Sequence, residues 1–356
     1  MTREKIQGQL DALSTRGGRL TLPCNCYDID RPLLIDTPSL CLCGEVWSYS
    51  SDPNGVFVSD FGTQLRLTGK DAPILSVGQS RTLGGVIVRD LGFAGNIEGM
   101  DTRPLWNSQH PSFSAGLVFD AVRTDQCEFS KLSFVGLASG VCAVGDAEID
   151  ACVFEKINAD GCANGIVFAP RASYYARFHD CISADNPYYG FYADGRERLI
   201  HNLELRDMLF VRCGGAFGED DMAAAVLWQK ISRSAIDHCL IDDAGTFWYY
   251  DASATQNNQR QPSHRKTVGL WVIGNENRIT NNTFLHSSDD AIRVEGGGNV
   301  LLSNMADGNI RLRGEGNTVV NAVFTEPHAR LILEGVAADT TTVIGVPEDR
   351  ILRVKQ

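Results

Sequence analysis

Acidic residues that come in pairs are the part of this sequence best suited to chemistry. Cleavage of a glycosidic bond needs one carboxylic acid to protonate the leaving oxygen and a second carboxylate to attack the sugar or to activate water. The candidates for these roles are Asp220, Asp221, Asp242, Asp243, Asp289 and Asp290. Acidic pairs are also common as turn formers, and that interpretation stands beside the catalytic one for each pair.

Aromatic and basic residues near these carboxylates have the types that bind sugars. The flat C–H faces of sugar rings stack on aromatic rings, and carboxylates accept hydrogen bonds from sugar hydroxyl groups. We expect a substrate cleft to be lined by Trp106, His110, Arg212, Trp248, Tyr249, Tyr250, Asp251, His264, Arg265 and His286.

Three of these candidates fall at corresponding positions of successive β-rich repeats. They are Arg212, Asp243 and His286. Because neighbouring parallel strands lie about 4.8 Å apart, the three side chains are expected to form an Arg–Asp–His ladder. In that ladder the guanidinium would hold Asp243 ionised. The ladder is either part of an active site or a stacked salt bridge that stabilises the fold, and both interpretations stand here.

The repeats themselves predict the fold that positions these residues. Gly116, Gly140, Gly165 and Gly190 begin short β-rich runs at intervals of 24, 25 and 25 residues. Further runs begin at Gly85, Ala225, Gly269, Ala291, Asn309 and Arg330. Helical periodicity is absent between the runs, and the frame of a leucine-rich repeat is not kept. The pattern predicts an all-β, right-handed parallel β-helix of about ten coils, with residues 1–356 in one domain.

A cap and three insertions complete the predicted solenoid. The cap, residues 1–18, contains an amphipathic stretch from Arg3 to Leu13 that predicts a helix over the N-terminal end. The repeat is interrupted at residues 95–115, 213–223 and 242–268. Insertions in solenoids usually form the binding face, so we expect these three to form the substrate cleft.

The composition excludes several classes of function. The net charge of −12 argues against a nucleic-acid partner. It also disfavours a polyanionic substrate, unless arginines are concentrated locally in a cleft. No run of 18 or more apolar residues occurs, so we expect no membrane span. The polar N-terminus lacks the apolar region of a secretory signal, and a cytoplasmic location is therefore expected. The 35 glycines are expected at coil corners.

The chain has eleven cysteines, and because this number is odd they cannot all form disulfides within one chain. In a cytoplasmic protein they are expected to be reduced and packed in the interior. Cys24, Cys26, Cys41 and Cys43 form two C-x-C pairs whose thiols could converge on zinc, although zinc sites more often have two to four residues between the cysteines. Packing is the favoured interpretation, and we expect neither a metal nor a cofactor.

Several segments resemble the pectate-lyase-like β-helix superfamily. They are LPCNCYDIDRPLLI, GGVIVRDLGFAGN, NSQHPSFSAGLVF, NRITNNTFLH and TTTVIGVP. Within that superfamily the layout is most similar to the inulin fructotransferases and difructose-anhydride hydrolases. The resemblance implies a homotrimer with sites at or near subunit interfaces, and a carboxylate pair that acts on fructosyl linkages. The spacing around Gly190 and Asp221 departs from that family, so its catalytic pair is not transferred.

Together these observations predict a carbohydrate-active enzyme that cleaves or rearranges a glycosidic bond of an oligosaccharide, of fructan or related type. A lyase or epimerase of uronates is the second interpretation. In it Arg212, His264 and Arg265 would serve the proton abstraction, and Asp289 with Asp290 would hold calcium. A non-catalytic, glycan-binding trimer of the tailspike type is the third.

Overall fold

The chain winds into a right-handed parallel β-helix in which strands of equivalent position stack from coil to coil. The computed structural model describes residues 1–47, 62–69, 72–95, 114–119, 123–195, 200–216, 222–249, 259–262 and 266–355, with backbone alone at 247–249 and 259–262. The predicted fold class is confirmed.

One face of the solenoid is a parallel sheet with twelve strands among the described residues. Its strands are Leu33–Ile35, Leu75–Val77, Ala115–Phe119, Ser139–Ala143, Asn164–Phe168, Phe191–Asp194, Ala224–Gln229, Val268–Ile273, Ile292–Glu295, Ile310–Arg313, Leu331–Glu334 and Ile351–Val354. Nine of the ten predicted β-rich runs lie here. The run at Gly85 instead precedes a strand of the next sheet, because the twelve-stranded sheet takes its strand of that coil from Leu75–Val77.

A second sheet has two parallel columns of strands, and three long strands run through both columns and join them. The long strands are Ile87–Ala94, Glu128–Val135 and Val153–Asp160. The first column also contains Gly18–Leu22, Leu40–Gly44, Arg177–His179, Glu204–Arg206, Ala235–Asp237, Arg278–Thr280, Val300–Leu302, Thr318–Val320 and Thr342–Ile344. The second column also contains Cys26–Ile29, Gln64–Leu67, Ile182–Ala184, Leu209–Val211, Leu240–Asp242, Thr283–Leu285, Met305–Ala306 and Val323–Phe324.

Shorter elements complete the described part of the chain. A parallel sheet contains Leu83–Gly84, Arg123–Asp125, Glu148–Asp150, Ala172–Tyr174, Ile200–His201 and Ile231–Ser232. Thr246–Tyr249 and Gln259–Pro262 form an antiparallel pair. The helices are Arg3–Ala12, Ala337–Thr340 and the 3-10 helix Glu348–Arg350. The first helix buries Ile6 and Leu10 against the first coils, which confirms the predicted cap.

Alternate residues of each strand point into one apolar core that runs the length of the solenoid. Phenylalanines stack inside it from coil to coil, for example Phe129, Phe154 and Phe178 with ring centroids 5.1 and 4.4 Å apart. The glycines that begin the runs allow close packing between coils. A Cβ atom at Gly165 would lie 2.0 Å from Ser183 Oγ and 2.6 Å from the carbonyl oxygen of Gly190.

The chain turns between the two columns and again after the second column, and at each of these turns a single residue has left-handed backbone. Asp185, Arg212, Asp243 and His286 have φ angles of 53, 53, 54 and 53°. The expectation that glycine marks the corners is therefore wrong at these positions. Aspartate, asparagine and histidine tolerate this conformation better than most residues, and their side chains point away from the core here.

No helix in the described part of the chain is long and apolar enough to cross a bilayer.

Candidate active site

The predicted ladder is present at the corner that follows the second strand column. The strands pair Val211 with Asp242, and Asp242 with Leu285. The residues that follow these three, Arg212, Asp243 and His286, therefore occupy the same corner of successive coils. The backbone N–H of Arg212 donates to the carbonyl of Asp242 at 3.0 Å, and that of Asp243 to the carbonyl of Leu285 at 3.1 Å. The predicted register of the three residues is therefore confirmed, whereas the pairing of their side chains differs from the prediction.

One further aspartate extends the ladder toward the N-terminus, and a second lies one strand position away from it. Asp185 occupies the corner one coil before Arg212, and Asp160 ends the strand one coil earlier still. We call Asp160, Asp185 and Arg212 the acid cluster. Neither aspartate was among the sequence candidates. The same register alignment, continued by one repeat, would have found Asp185; the next repeat has Gly161 at that position, directly after Asp160.

Arg212 forms a bidentate ion pair with Asp185. Its Nε and Nη2 atoms donate to the two carboxylate oxygens at 2.6 and 2.7 Å. Asp185 is only 2% exposed, whereas Arg212 is 30% exposed. The ladder thus pairs Arg212 with an aspartate of the preceding coil, and Asp185 becomes a buried charge that the guanidinium neutralises in part.

Whereas Arg212 binds the carboxylate of Asp185, the surroundings of Asp160 favour the neutral form of its carboxyl group. Its Oδ1 atom is buried and has no hydrogen-bond partner among the described residues. Burial raises the pKa of Asp160 to about 7, the negative charge of Asp185 adds to this, and Arg212 opposes it. Neighbouring carboxyl groups whose environments push their pKa values apart are the usual mark of an acid–base pair, and burial on one side and an arginine on the other are such environments.

Asn158 supplies a second unsatisfied atom beside Asp160. Its side chain points outward from the same strand, is 5% exposed, and its Oδ1 atom has no partner among the described residues. Buried polar atoms are nearly always hydrogen-bonded in folded proteins. Two such atoms two residues apart on one strand therefore mark a place where a polar ligand or water completes the bonding.

The tyrosines that follow Asp185 in the sequence pack on the outer face of the twelve-stranded sheet. Tyr188 follows Asp185 by three residues, and its N–H donates to the carbonyl of Ala163 at 3.0 Å. The rings of Tyr189 and Tyr192 lie 5.0 Å apart. These tyrosines were not predicted as site residues, although the adjacent pair in NPYYG carried the signal.

Asp242, Asp243 and His286 form a second polar group at the later coils of the ladder, and we call it the histidine cluster. His286 Nδ1 lies 2.8 Å from Asp242 Oδ1, and the backbone N–H of His286 donates to Asp307. The hydrogen bond to Asp242 raises the pKa of His286, and the charges of Asp242, Asp243 and Asp307 add to this. His286 is 68% exposed.

The histidine cluster is the group of potential metal ligands that the described residues bring together. One donor atom each from Asp242, Asp243 and His286 lie within 4.8 Å of one another. Carboxylates and imidazole are donors that divalent transition metals accept. The raised pKa of His286 opposes this use, because a protonated imidazole cannot bind a metal.

A cleft of about 460 Å³ opens beside the histidine cluster. It is lined by Lys266, His286, Ser287, Ser288, Asp289, Asp307, Gly308, Asn309, Glu326 and His328. The volume lies within the usual range of small-ligand sites. The structure therefore brings four predicted residues together here, namely Asp242, Asp243, Asp289 and His286.

Asp290 lies outside this cleft, in a network of arginines. It is 1% exposed and accepts hydrogen bonds from Arg293 Nη2 at 2.9 Å and Arg311 Nε at 2.7 Å. Asp289 accepts from the same Arg293 Nη2 at 2.9 Å. Two guanidinium groups already neutralise this acidic pair, so their charge opposes the calcium site that the uronate interpretation requires.

The remaining candidates cannot be placed against these clusters. Outside the described residues lie Trp106, His110, Asp220, Asp221, Tyr250, Asp251, His264 and Arg265. Trp248 and Tyr249 have a described backbone only, in the antiparallel strand Thr246–Tyr249.

The four N-terminal cysteines do not converge among the described residues. Cys24 Sγ donates to the carbonyl of Gly62 at 3.2 Å, whereas Cys43 Sγ accepts from Arg19 Nε at 3.1 Å. All eleven cysteines are free thiols. Cys43 and the seven cysteines from Cys127 to Cys239 are buried. Packing therefore describes most of them, as expected.

Comparisons with known proteins bear on the fold. No protein-family model matches the chain, and no curated protein matches it. The DFA-IIIase of Arthrobacter chlorophenolicus without its lid, in complex with GF2, superposes with a TM-score of 0.69 at 13% identity, over 99% of this chain and 93% of that chain. With its lid, in complex with GF2, the same enzyme gives a TM-score of 0.67 at 13% identity, over 99% and 93% of the two chains.

A mannuronan C-5 epimerase shares the same architecture. The A-module of this enzyme from Azotobacter vinelandii superposes with a TM-score of 0.55 at 11% identity, over 99% of this chain and 91% of that chain. Identities this low show the fold and not the activity. The chain shares the parallel β-helix fold of these structures, which is the fold that the sequence resemblance implied.

Proposed function

We propose that this protein is a carbohydrate-active enzyme that cleaves or rearranges a glycosidic bond, with Asp160 as the proton donor. The observation that carries the proposal is the acid cluster. In it a carboxyl group with a pKa of about 7 lies beside an aspartate that is bound to arginine. A proton donor works best when its pKa lies near the working pH, and burial supplies that condition for Asp160.

The roles of the two carboxyl groups follow from their burial. The neutral Asp160 would donate its proton to the leaving oxygen as the glycosidic bond breaks. Asp185 is too buried, at 2% exposure, to attack the sugar. Its negative charge would instead favour the positive charge that develops on the sugar ring in the transition state. Water, or a hydroxyl group of the substrate, would then form the new bond to the anomeric carbon and return its proton to the Asp160 carboxylate. The unpartnered Oδ1 of Asn158 would accept a hydrogen bond from a sugar hydroxyl group.

An oligosaccharide of fructan or related type is the proposed substrate. The fold likeness to a DFA-IIIase in complex with GF2 supports this choice. Assembly into a homotrimer and a cytoplasmic location stay predictions. Native mass spectrometry of the purified protein tests the first.

The test of the proposed function is the loss of turnover in Asp160→Asn on a panel of fructan oligosaccharides and difructose anhydrides. We expect a loss of about 10²-fold or more, as is typical when a catalytic acid is removed. Asp207→Asn is the control, because it makes the same substitution at an exposed aspartate outside the acid cluster, which pairs with Arg206. Full activity of Asp160→Asn, with a substrate that the native protein turns over, would refute the assignment.

A uronate lyase or epimerase remains the alternative, supported by the fold likeness to the mannuronan epimerase. In that reaction the protonated Asp160 would face the substrate carboxylate, and a base would abstract the adjacent proton. Alginate and oligogalacturonate belong in the same panel for this reason. Ultraviolet absorbance of an unsaturated product on either, without cleavage of neutral sugars, would favour the alternative. Binding without turnover on the whole panel would favour a tailspike-like binding protein.

A further inference from the structure

A second, larger cleft opens at the other edge of the two-column sheet. Its volume is about 730 Å³, within the usual range of ligand sites. We call it the arginine groove, and the residues that define it are Tyr175, Arg177, Glu204, Arg233, Glu276 and Arg278. It lies where each coil enters the first strand column, whereas the acid cluster lies where the coil leaves the second. The two sites are therefore separate.

The strand register sets the spacing of the charges in this groove. Arg177 is paired with Glu204 on the next coil, Glu204 with Ala235, and Ala235 with Arg278. Arg177 and Arg278 are thus three coils apart, a distance of about 14 Å at the usual strand spacing. The small side chain of Ala235 between them leaves a depression with a guanidinium group at each end.

In the part of the chain that the structure describes, no acidic side chain pairs with either of these two arginines. Within the described residues the side chains of Arg177 and Arg278 make no hydrogen bond or ion pair, and both residues are exposed. Of the two acids of the groove, Glu276 already pairs with a third arginine. Glu276 binds Arg233 at 2.7 Å, and Glu204 lies 3.6 Å from His179 Nε2. In a chain with a net charge of −12, this is a local excess of positive charge inside a cleft.

An exposed tyrosine completes the groove. Tyr175 is 59% exposed, and its backbone is left-handed with a φ of 60°. A bulky residue is uncommon in this conformation, at a corner where the next coil has Asn202. The aromatic face is consequently held in solvent beside Arg177, where a sugar ring can stack on it.

We propose that the arginine groove is a binding site for an anionic oligosaccharide, with Arg177 and Arg278 each binding a carboxylate and Tyr175 stacking on a sugar ring between or beside them. Guanidinium groups bind carboxylates through two parallel hydrogen bonds. The spacing of about 14 Å selects a linear chain several sugars long over a single anion. This site is independent of the proposed glycosidic chemistry at Asp160.

The test is isothermal titration calorimetry of the full chain with tetragalacturonate and with its methyl ester, which has the same length but no charge. We expect the acid to bind at least ten-fold more tightly than the ester, and its affinity to fall as salt is added. Arg177→Gln with Arg278→Gln should weaken binding of the acid by ten-fold or more. Tyr175→Ala should weaken it several-fold.

The matched control removes the same two charges elsewhere. Arg31→Gln with Arg66→Gln changes two exposed arginines that are paired with Glu4 and Asp28, and it should leave the affinity unchanged. Equal affinity for acid and ester, an equal loss in the control, or full competition by inorganic phosphate at the same concentration would each overturn the proposal. Turnover by Asp160→Asn has no bearing on this readout, so the two proposals fail separately.

Discussion

Arg212 holds Asp185 through two hydrogen bonds of 2.6 and 2.7 Å that join neighbouring coils of the solenoid. The pair lies at a corner where both residues have left-handed backbone. The same two charges act in opposite directions on Asp160, since Asp185 raises its pKa and Arg212 lowers it. One ion pair thus contributes both to the stability of the corner and to the protonation of the proposed acid.

We expect Arg212→Gln to lower the free energy of unfolding by about 3 kcal/mol, because it leaves the buried carboxylate of Asp185 without its counter-ion. Urea unfolding at pH 7 measures this. Arg206→Gln is the control, since Arg206 and Asp207 form an exposed pair at 3.4 Å that should contribute below about 1 kcal/mol. Adding Asp185→Asn to Arg212→Gln should restore most of the stability. No recovery in the double variant would show that the ion pair is not the cause.

We expect Asp160→Asn to change how stability depends on pH. The pKa of Asp160 is raised to about 7 in the folded chain from an ordinary value of 3.8. The native protein therefore holds a proton that the unfolded chain releases, and its stability falls as pH rises from about 4 to about 7. The variant lacks this fall and should gain up to about 4 kcal/mol relative to the native protein over that interval.

Urea unfolding at pH 4.5, 6 and 8 measures the effect of Asp160→Asn. The exposed corner aspartate in Asp207→Asn is again the control. Parallel pH profiles for Asp160→Asn and the native protein would contradict a raised pKa. The result is independent of any substrate, so it tests the electrostatics of the site before an activity is found.

The sequence was sufficient to predict the fold and the ladder of Arg212, Asp243 and His286. Stacked coils repeat the same strand, so a register alignment alone brings these residues to one corner. The pairing within the corner could not be predicted in the same way. Arg212 turns toward Asp185 of the preceding coil, and His286 reaches Asp242 rather than forming the expected chain through Asp243. Side-chain direction and burial decide these partners, and neither follows from spacing.

Asp290 is a second residue whose side-chain partners could not be predicted from spacing alone. An acidic pair on a coil turn is compatible with catalysis, calcium binding or structure when only its spacing is known. Arg311, which lies 21 residues later, reaches Asp290 only because the next coil is short. The network that neutralises Asp290 is therefore a property of the stacked coils.

We expect Asp290→Asn to destabilise the protein by about 3 kcal/mol, because Arg293 and Arg311 lose the buried carboxylate that they share. Urea unfolding measures the loss. With a substrate in hand, kcat of the folded variant should stay within about two-fold of the native value, whereas a catalytic acid or base would cost about 10²-fold. Asp289→Asn is the comparison, since Asp289 binds Arg293 alone and is 31% exposed. A stable variant with a large loss of kcat would restore the catalytic interpretation of Asp290.

We expect the ion pair between His286 and Asp242 to stabilise the fold only toward acidic pH. The hydrogen bond to Asp242 raises the pKa of His286 above 6.5. Its contribution is therefore fully present below pH 6.5 and is lost as pH rises through the folded value. His286→Gln should lower the Tm at pH 6 and leave it unchanged at pH 9, and Asp242→Asn should return the pKa of His286 toward its ordinary value in an NMR titration. His328→Gln is the control, because His328 lines the same cleft and makes no ion pair within the described residues. A Tm difference that is the same at both pH values would mean that His286 contributes through packing and not through its charge.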